Sequence, residues 1–123
     1  MIKKLFEEWT IRIKFEKKQI MTELHQEDWN EQRLAATNTV LLDVRTEEEF
    51  NEKHLPSATL LDIRQSHAFM DAAQGLAKDK AYFIYCRSGA RSAQACQLLD
   101  QLGVEATYNL KGGILAWTGE VVE

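Results

Sequence analysis

Apolar positions in this chain arrive in two rhythms that alternate along its length. Residues 39–44 (Thr39, Val40, Leu41, Leu42, Asp43, Val44) form a near-continuous apolar run, as in a parallel strand covered on both faces. Residues 58–63 and Ala81-Tyr82-Phe83-Ile84-Tyr85 repeat that pattern, and Ala106 with Thr107 to Leu110 predicts a last strand. Between these runs the apolar residues move to helical spacing. Phe69, Met70, Ala73 and Leu76 predict a helix over 66–77. Ala95, Cys96, Leu99 and Leu102 predict another over 93–102, stopped by Gly103. Leu24, Trp29, Leu34 and Ala35 line a looser helical face over 22–36, with Thr22 or Asp28 as its N-cap. Thr46 followed by Glu49 is a capping box that opens a short helix through about Lys53. After Gly112-Gly113, Ile114, Leu115 and Trp117 begin a final short helix or turn packed on the core. Strands alternating with helices predict an α/β fold of three layers, a parallel sheet flanked by helices. Ligands of such sheets bind beyond the carboxyl ends of the strands.

Residues 1–20 fit two templates. Ile2, Leu5, Phe6, Trp9 and Ile13 share a helical face, whereas Ile11, Ile13 and Phe15 alternate with charged residues as in a strand. A helix for a membrane surface or a partner is one use of such a segment. The reading adopted is an extension, 1–20, packed on the domain formed by 21–123.

Length and composition narrow the function. The 123 residues suit one domain, and 45% hydrophobic with 28% charged residues is ordinary for a globular protein. A net charge of -4 argues against a basic nucleic-acid surface. The cysteines at 86 and 96 do not make a disulfide framework, and with the histidines at 25, 54 and 67 scattered there is no four-ligand metal pattern. No apolar run approaches the roughly 18 residues of a membrane span. A reducing cytoplasm is the expected compartment.

One stretch carries chemistry. Cys86-Arg87-Ser88-Gly89-Ala90-Arg91-Ser92 sits where the strand 81–85 ends and the next helix begins. Free amides at a helix N-terminus and the helix dipole both favour an anion, hence a thiolate over a thiol. Cysteines so placed, or beside Arg, have pKa values of roughly 3.5–7.5 against about 8.5 unperturbed. Gly89 lets loop amides converge, and Arg87 and Arg91 add cationic donors for an anionic substrate. Cys86 is therefore the candidate nucleophile, with Arg87, Ser88, Gly89, Ala90 and Arg91 as substrate-binding residues and Ser92 supporting them. Asp43 and Arg45 are also expected to support the site, through a structural clasp at the end of their strand. His54, in the turn before Pro56, is expected to hold backbone groups rather than act as a base. Cys96 and Trp117 read as core.

The loop resembles the active-site loop of the rhodanese-like sulfurtransferases. Leu41-Leu42-Asp43-Val44-Arg45 with Glu47-Glu48-Glu49-Phe50 resembles that family's first signature. His54-Leu55-Pro56-Ser57-Ala58 looks like its His-Ile-Pro-Gly-Ala turn, and Leu110 to Trp117 resembles its C-terminal segment. Lys53 and Ser57 stand where the family usually has glycines, so this turn is expected to be built somewhat differently, away from the chemistry. The resemblance covers about residues 22–119. It implies a rhodanese-like fold and transfer of a sulfane sulfur through a Cys86 persulfide cradled by the amides of 87–91. Donors would be thiosulfate or a persulfide; acceptors would be cyanide, a small thiol or a protein thiol. Two alternatives differ in class. A Cys-dependent phosphatase or arsenate reductase would use a similar cradle, but the six-residue span from Cys86 to Arg91 resembles the sulfurtransferase form. A non-catalytic binding module would not need the retained Cys and Arg.

Overall fold

The computed structural model describes residues 21–123, and the expectations for residues 1–20 lie outside them. Among these residues five strands, β1 (Thr22–Leu24), β2 (Thr39–Asp43), β3 (Thr59–Leu60), β4 (Ala81–Tyr85) and β5 (Ala106–Leu110), form one parallel sheet ordered β1-β5-β4-β2-β3. Among the described residues five helices accompany it: α1 (Gln26–Ala35), α2 (Glu47–Glu52), α3 (Ser66–Gln74), α4 (Ala90–Gln101) and α5 (Gly113–Ala116).

The alternation of side chains along the strands sorts the core into two layers. Leu42, Val44, Tyr82, Ile84 and Cys86 pack with Phe69 and Ala73 of α3 and Ala95, Cys96 and Leu99 of α4. Leu41, Phe83, Tyr85 and Leu110 point the other way, onto Trp29 of α1, Leu55 and Ile114 of α5. Trp29 anchors that second layer edge-on to Phe83 and Trp117, with centroids 5.7 and 5.9 Å apart. After β2 the chain moves outward to β3, and after β4 it moves the opposite way to β5. The boundary between β2 and β4 is thus a switch point, where open α/β sheets form a crevice.

Several elements differ from the sequence expectation; the helix expected over 66–77 ends at Gln74, with Gly75 as its C-cap and Leu76 beyond it. Thr22 does not cap a helix; Thr22–Leu24 is the edge strand β1, paired with Tyr108 to Leu110. Ladder pairing on the open side of β5 outweighs the capping preference of Thr22, and α1 starts after His25 rather than at Asp28. The strand expected over 58–63 is only Thr59–Leu60, because Asp62 turns the chain by accepting the Arg64 amide on its side chain and the Gln65 amide on its carbonyl. The helix expected from Ala93 begins at Ala90, so Ala90 to Ser92 are its first turn and Gly89, at φ 110°, is its N-cap. At its far end Gly103, at φ 94°, closes a Schellman motif through Gly103 N–H to Asp100 and Val104 N–H to Leu99.

Candidate active site

Cys86 follows β4 on the crevice side of the sheet and is almost fully buried. The backbone reverses over Arg87 and Ser88, which are exposed, and enters α4 through Gly89. That reversal aims the Gly89 amide at the Cys86 sulfur, with N to Sγ 3.0 Å, and the Ser92 hydroxyl lies 3.3 Å from the same atom. Burial opposes ionisation of the thiol. Hydrogen bonds from the Ser92 hydroxyl and from the Ser92, Gly89 and Ser88 amides outweigh it and bring Cys86 below the ordinary thiol value.

The second cysteine has the opposite surroundings. Cys96 is fully buried in the middle of α4, and burial first, then the charge of Asp100, pushes its thiol up to about 12. Two thiols on one layer of the core are thereby separated in reactivity by solvation and donors.

The neighbouring groups hold the loop. Arg91 is committed to Glu49 of α2 through contacts of 2.7 and 2.9 Å, so its guanidinium already has an anionic partner. Arg87 projects outward, while its carbonyl accepts the Leu115 amide at 3.1 Å and the Cys86 carbonyl accepts the Ile114 amide at 2.9 Å. Helix α5 therefore seats its free N-terminal amides on the two carbonyls at the start of the loop. Asp43 and Arg45 pair with each other, at 2.7 Å for the shortest contact, and Arg45 also donates to the Lys53 carbonyl at 2.7 Å. Their clasp closes the end of β2 beside the loop. His54 places Nδ1 2.9 Å from the Phe50 carbonyl, stacks on the Phe50 ring and bridges Val122 through its backbone. Trp117 packs on Trp29, half-buried.

In the sequence Glu49 stands in a capping box and in the Glu47-Glu48-Glu49-Phe50 signature, neither of which points to Arg91. It makes that box with Thr46 and also holds Arg91. Asn109 is, by pattern, only a residue of the last strand, yet its Nδ2 donates to the Gly89 carbonyl at 3.2 Å beneath the loop. The one signal in the sequence is an amide side chain within a strand, and the structure buries it completely. Among the described residues no group of His, Cys, Asp and Glu is arranged to hold a metal ion, and no helix is long and apolar enough to cross a membrane.

A cysteine on a helix-N-terminal loop at a switch point defines the class. The family model for the rhodanese-like domain matches residues 26–120, and the chain belongs to that family. A protein from Allochromatium vinosum named "Sulfurtransferase" is 46% identical over 87 residues, which span 70% of this chain and 78% of that one. A rhodanese-like domain protein from Staphylococcus aureus superposes with a TM-score of 0.70 at 28% identity, covering 81% of this chain and 94% of that one. A rhodanese-like domain from Anabaena gives a TM-score of 0.70 at 26% identity, covering 84% and 80%.

Proposed function

We propose that this rhodanese-like protein is a sulfurtransferase that carries a sulfane sulfur as a Cys86 persulfide. The supporting observation is the Cys86 sulfur itself, buried yet facing the Gly89 amide and the Ser92 hydroxyl, which stabilise a thiolate there. The thiolate attacks the outer sulfur of the donor. A new S–S bond forms to Cys86 as the donor's own S–S bond breaks, and the electron pair leaves with sulfite or with the donor thiol. Loop amides from Arg87 to Arg91 then surround the terminal persulfide sulfur, with the exposed Arg87 as the cation not engaged by Glu49. Cyanide, a small thiol or a protein thiol attacks that sulfur, and Cys86 leaves as the thiolate. The scheme is double displacement and needs no metal or organic cofactor. A reducing compartment such as the cytoplasm suits a site whose thiol must stay free.

Turnover with thiosulfate and cyanide, read as thiocyanate, tests the proposal beside p-nitrophenyl phosphate hydrolysis. Thiocyanate formation with negligible phosphate release is expected. Phosphate release that depends on Cys86, with no thiocyanate, would assign the loop to phosphoryl transfer instead.

A further inference from the structure

The Gly89 carbonyl is a crowded acceptor. Three donors lie within reach: the Ala93 amide at 3.1 Å, Asn109 Nδ2 at 3.2 Å and the Ser92 hydroxyl at 3.2 Å. A carbonyl oxygen has two lone pairs. The Ala93 amide fills one as the ordinary i to i−4 bond of α4, and Asn109 fills the other. The amide orientation of Asn109 follows from chemistry, because only its NH₂ can face a carbonyl oxygen.

The Ser92 hydroxyl has the complementary shortage. It carries one proton and faces two acceptors, the Gly89 carbonyl and Cys86 Sγ at 3.3 Å. Whichever acceptor is otherwise unsatisfied draws that proton. All of these groups except the Ala93 backbone belong to buried residues, so water does not settle the competition. We infer that Asn109 is a positioning residue for Cys86 that acts through Ser92: by saturating the Gly89 carbonyl, it leaves the Ser92 proton to the sulfur. The inference rests on reading Cys86 as the sulfur carrier and adds a residue to that machinery from β5, opposite Ile84 in the register. Placing the donor on the strand rather than on the loop ties sulfur activation to the sheet.

Removing Asn109 should therefore weaken the thiolate, but only while Ser92 is present to be diverted. The test is a double-mutant cycle with Asn109→Leu, which keeps the branched side-chain shape and removes the donor, and Ser92→Ala. The readout is the pH midpoint of iodoacetamide alkylation of Cys86, measured in the Cys96→Ser background so that one thiol remains. The other groups electrostatically coupled to this thiol are constant across the cycle: Arg91 of α4 with its partner Glu49 of α2 is unchanged, and Cys96 is replaced in every variant. Each single variant should raise the midpoint by about one pH unit, a loss of about tenfold in thiolate below the midpoint. The double variant should match Ser92→Ala alone. Shifts that add in the double variant, or no shift in Asn109→Leu, would overturn the relay. Asn109→Ala gives the same comparison if the Leu variant does not fold. Alkylation needs no sulfur transfer, so a wild type that forms no thiocyanate sinks the proposed reaction, whereas an additive cycle sinks only the relay.

Discussion

Arg91 and Glu49 join the first turn of α4 to the middle of α2 through two side-by-side contacts of 2.7 and 2.9 Å. The same carboxylate caps its own helix by accepting the Thr46 amide at 3.2 Å. One side chain thus fixes the start of α2 and the end of the loop that carries Cys86.

That double duty has a pH signature. Hydrogen bonds from Arg91, against an opposing effect of burial and with help from Thr46, hold the Glu49 carboxyl down to about 2. A carboxyl depressed in the folded state stabilises the fold above its unfolded value of about 4.3, and that contribution disappears as pH falls toward 2. Glu49→Gln, which retains an acceptor for Thr46, should cost about 1 kcal/mol at pH 7. Thermal melts of the two proteins should converge as pH drops from about 5 to 2. A gap that stays constant over that range would show the ion pair contributes nothing.

The two cysteines should respond oppositely to substitution. Cys86→Ser should abolish thiocyanate formation, and Cys96→Ser should retain most of it, because donors outweigh burial at Cys86 whereas burial dominates at Cys96. After donor treatment, mass spectrometry should place about +32 Da, one sulfur atom, on the peptide containing Cys86. The same mass on the Cys96 peptide would reverse the assignment.

Much of this geometry was legible from local pattern. The apolar runs located β2, β4 and β5, and Thr46 with Glu49 announced the capping box that the structure contains. Cys86 between β4 and α4 followed from strand and helix periodicity alone. The rest depended on partners distant in sequence. Thr22 became a strand residue because β5 offered a free edge, which no property of residues 22–24 encodes. Arg91 looked like a free cation until the fold brought Glu49, 42 positions earlier, against it. Asn109 reaches the loop from 20 positions away, so only the register of β5 against β4 reveals its place.

The turn before β3 contains a correctable strain. Lys53 and Ser57 stand where the rhodanese-like family usually has glycines, and the structure treats them differently. Lys53 is fully extended at φ -166°, which suits any residue, but Ser57 is left-handed at φ 69°. Leu55 to Ala58 form a turn closed by the Ala58 amide on the Leu55 carbonyl, with Pro56 at its second position and Ser57 at its third, as in type II. Glycine adopts that third position without the Cβ penalty. Ser57→Gly should therefore stabilise the protein by about 1 kcal/mol, the usual cost of a left-handed non-glycine residue less the entropy glycine adds to the unfolded chain. Sulfur transfer should be unchanged. A lower melting temperature would show that the Ser57 side chain contributes more than its backbone costs.

Gly113 is the position where adding one methyl group should matter most. It opens α5 in the left-handed region, at φ 60°, and a Cβ there would lie 2.3 Å from the Arg87 carbonyl oxygen and 2.7 Å from that of Cys86. Both obstacles are backbone, so no rotamer change relieves them. They belong to the peptide units that α5 holds through Ile114 N–H to Cys86 and Leu115 N–H to Arg87. Relief requires either the loop or α5 to move, and either movement breaks those two hydrogen bonds and shifts Cys86 relative to the Gly89 amide. Left-handed strain of about 1 kcal/mol adds to the clash, so Gly113→Ala should cost at least about 2 kcal/mol. The melting temperature should fall by roughly 8 °C or more. The loop should suffer more than the fold: well below the new melting temperature, thiocyanate formation should drop and the alkylation midpoint of Cys86 should rise. Gly112→Ala provides the contrast, because its Cβ would meet only the Ala116 side chain at 2.9 Å. It shares the left-handed backbone, at φ 83°, without the clash against the loop. Equal losses of activity in the two variants would mean that backbone strain, rather than contact with the carbonyls of Cys86 and Arg87, is what the site cannot tolerate.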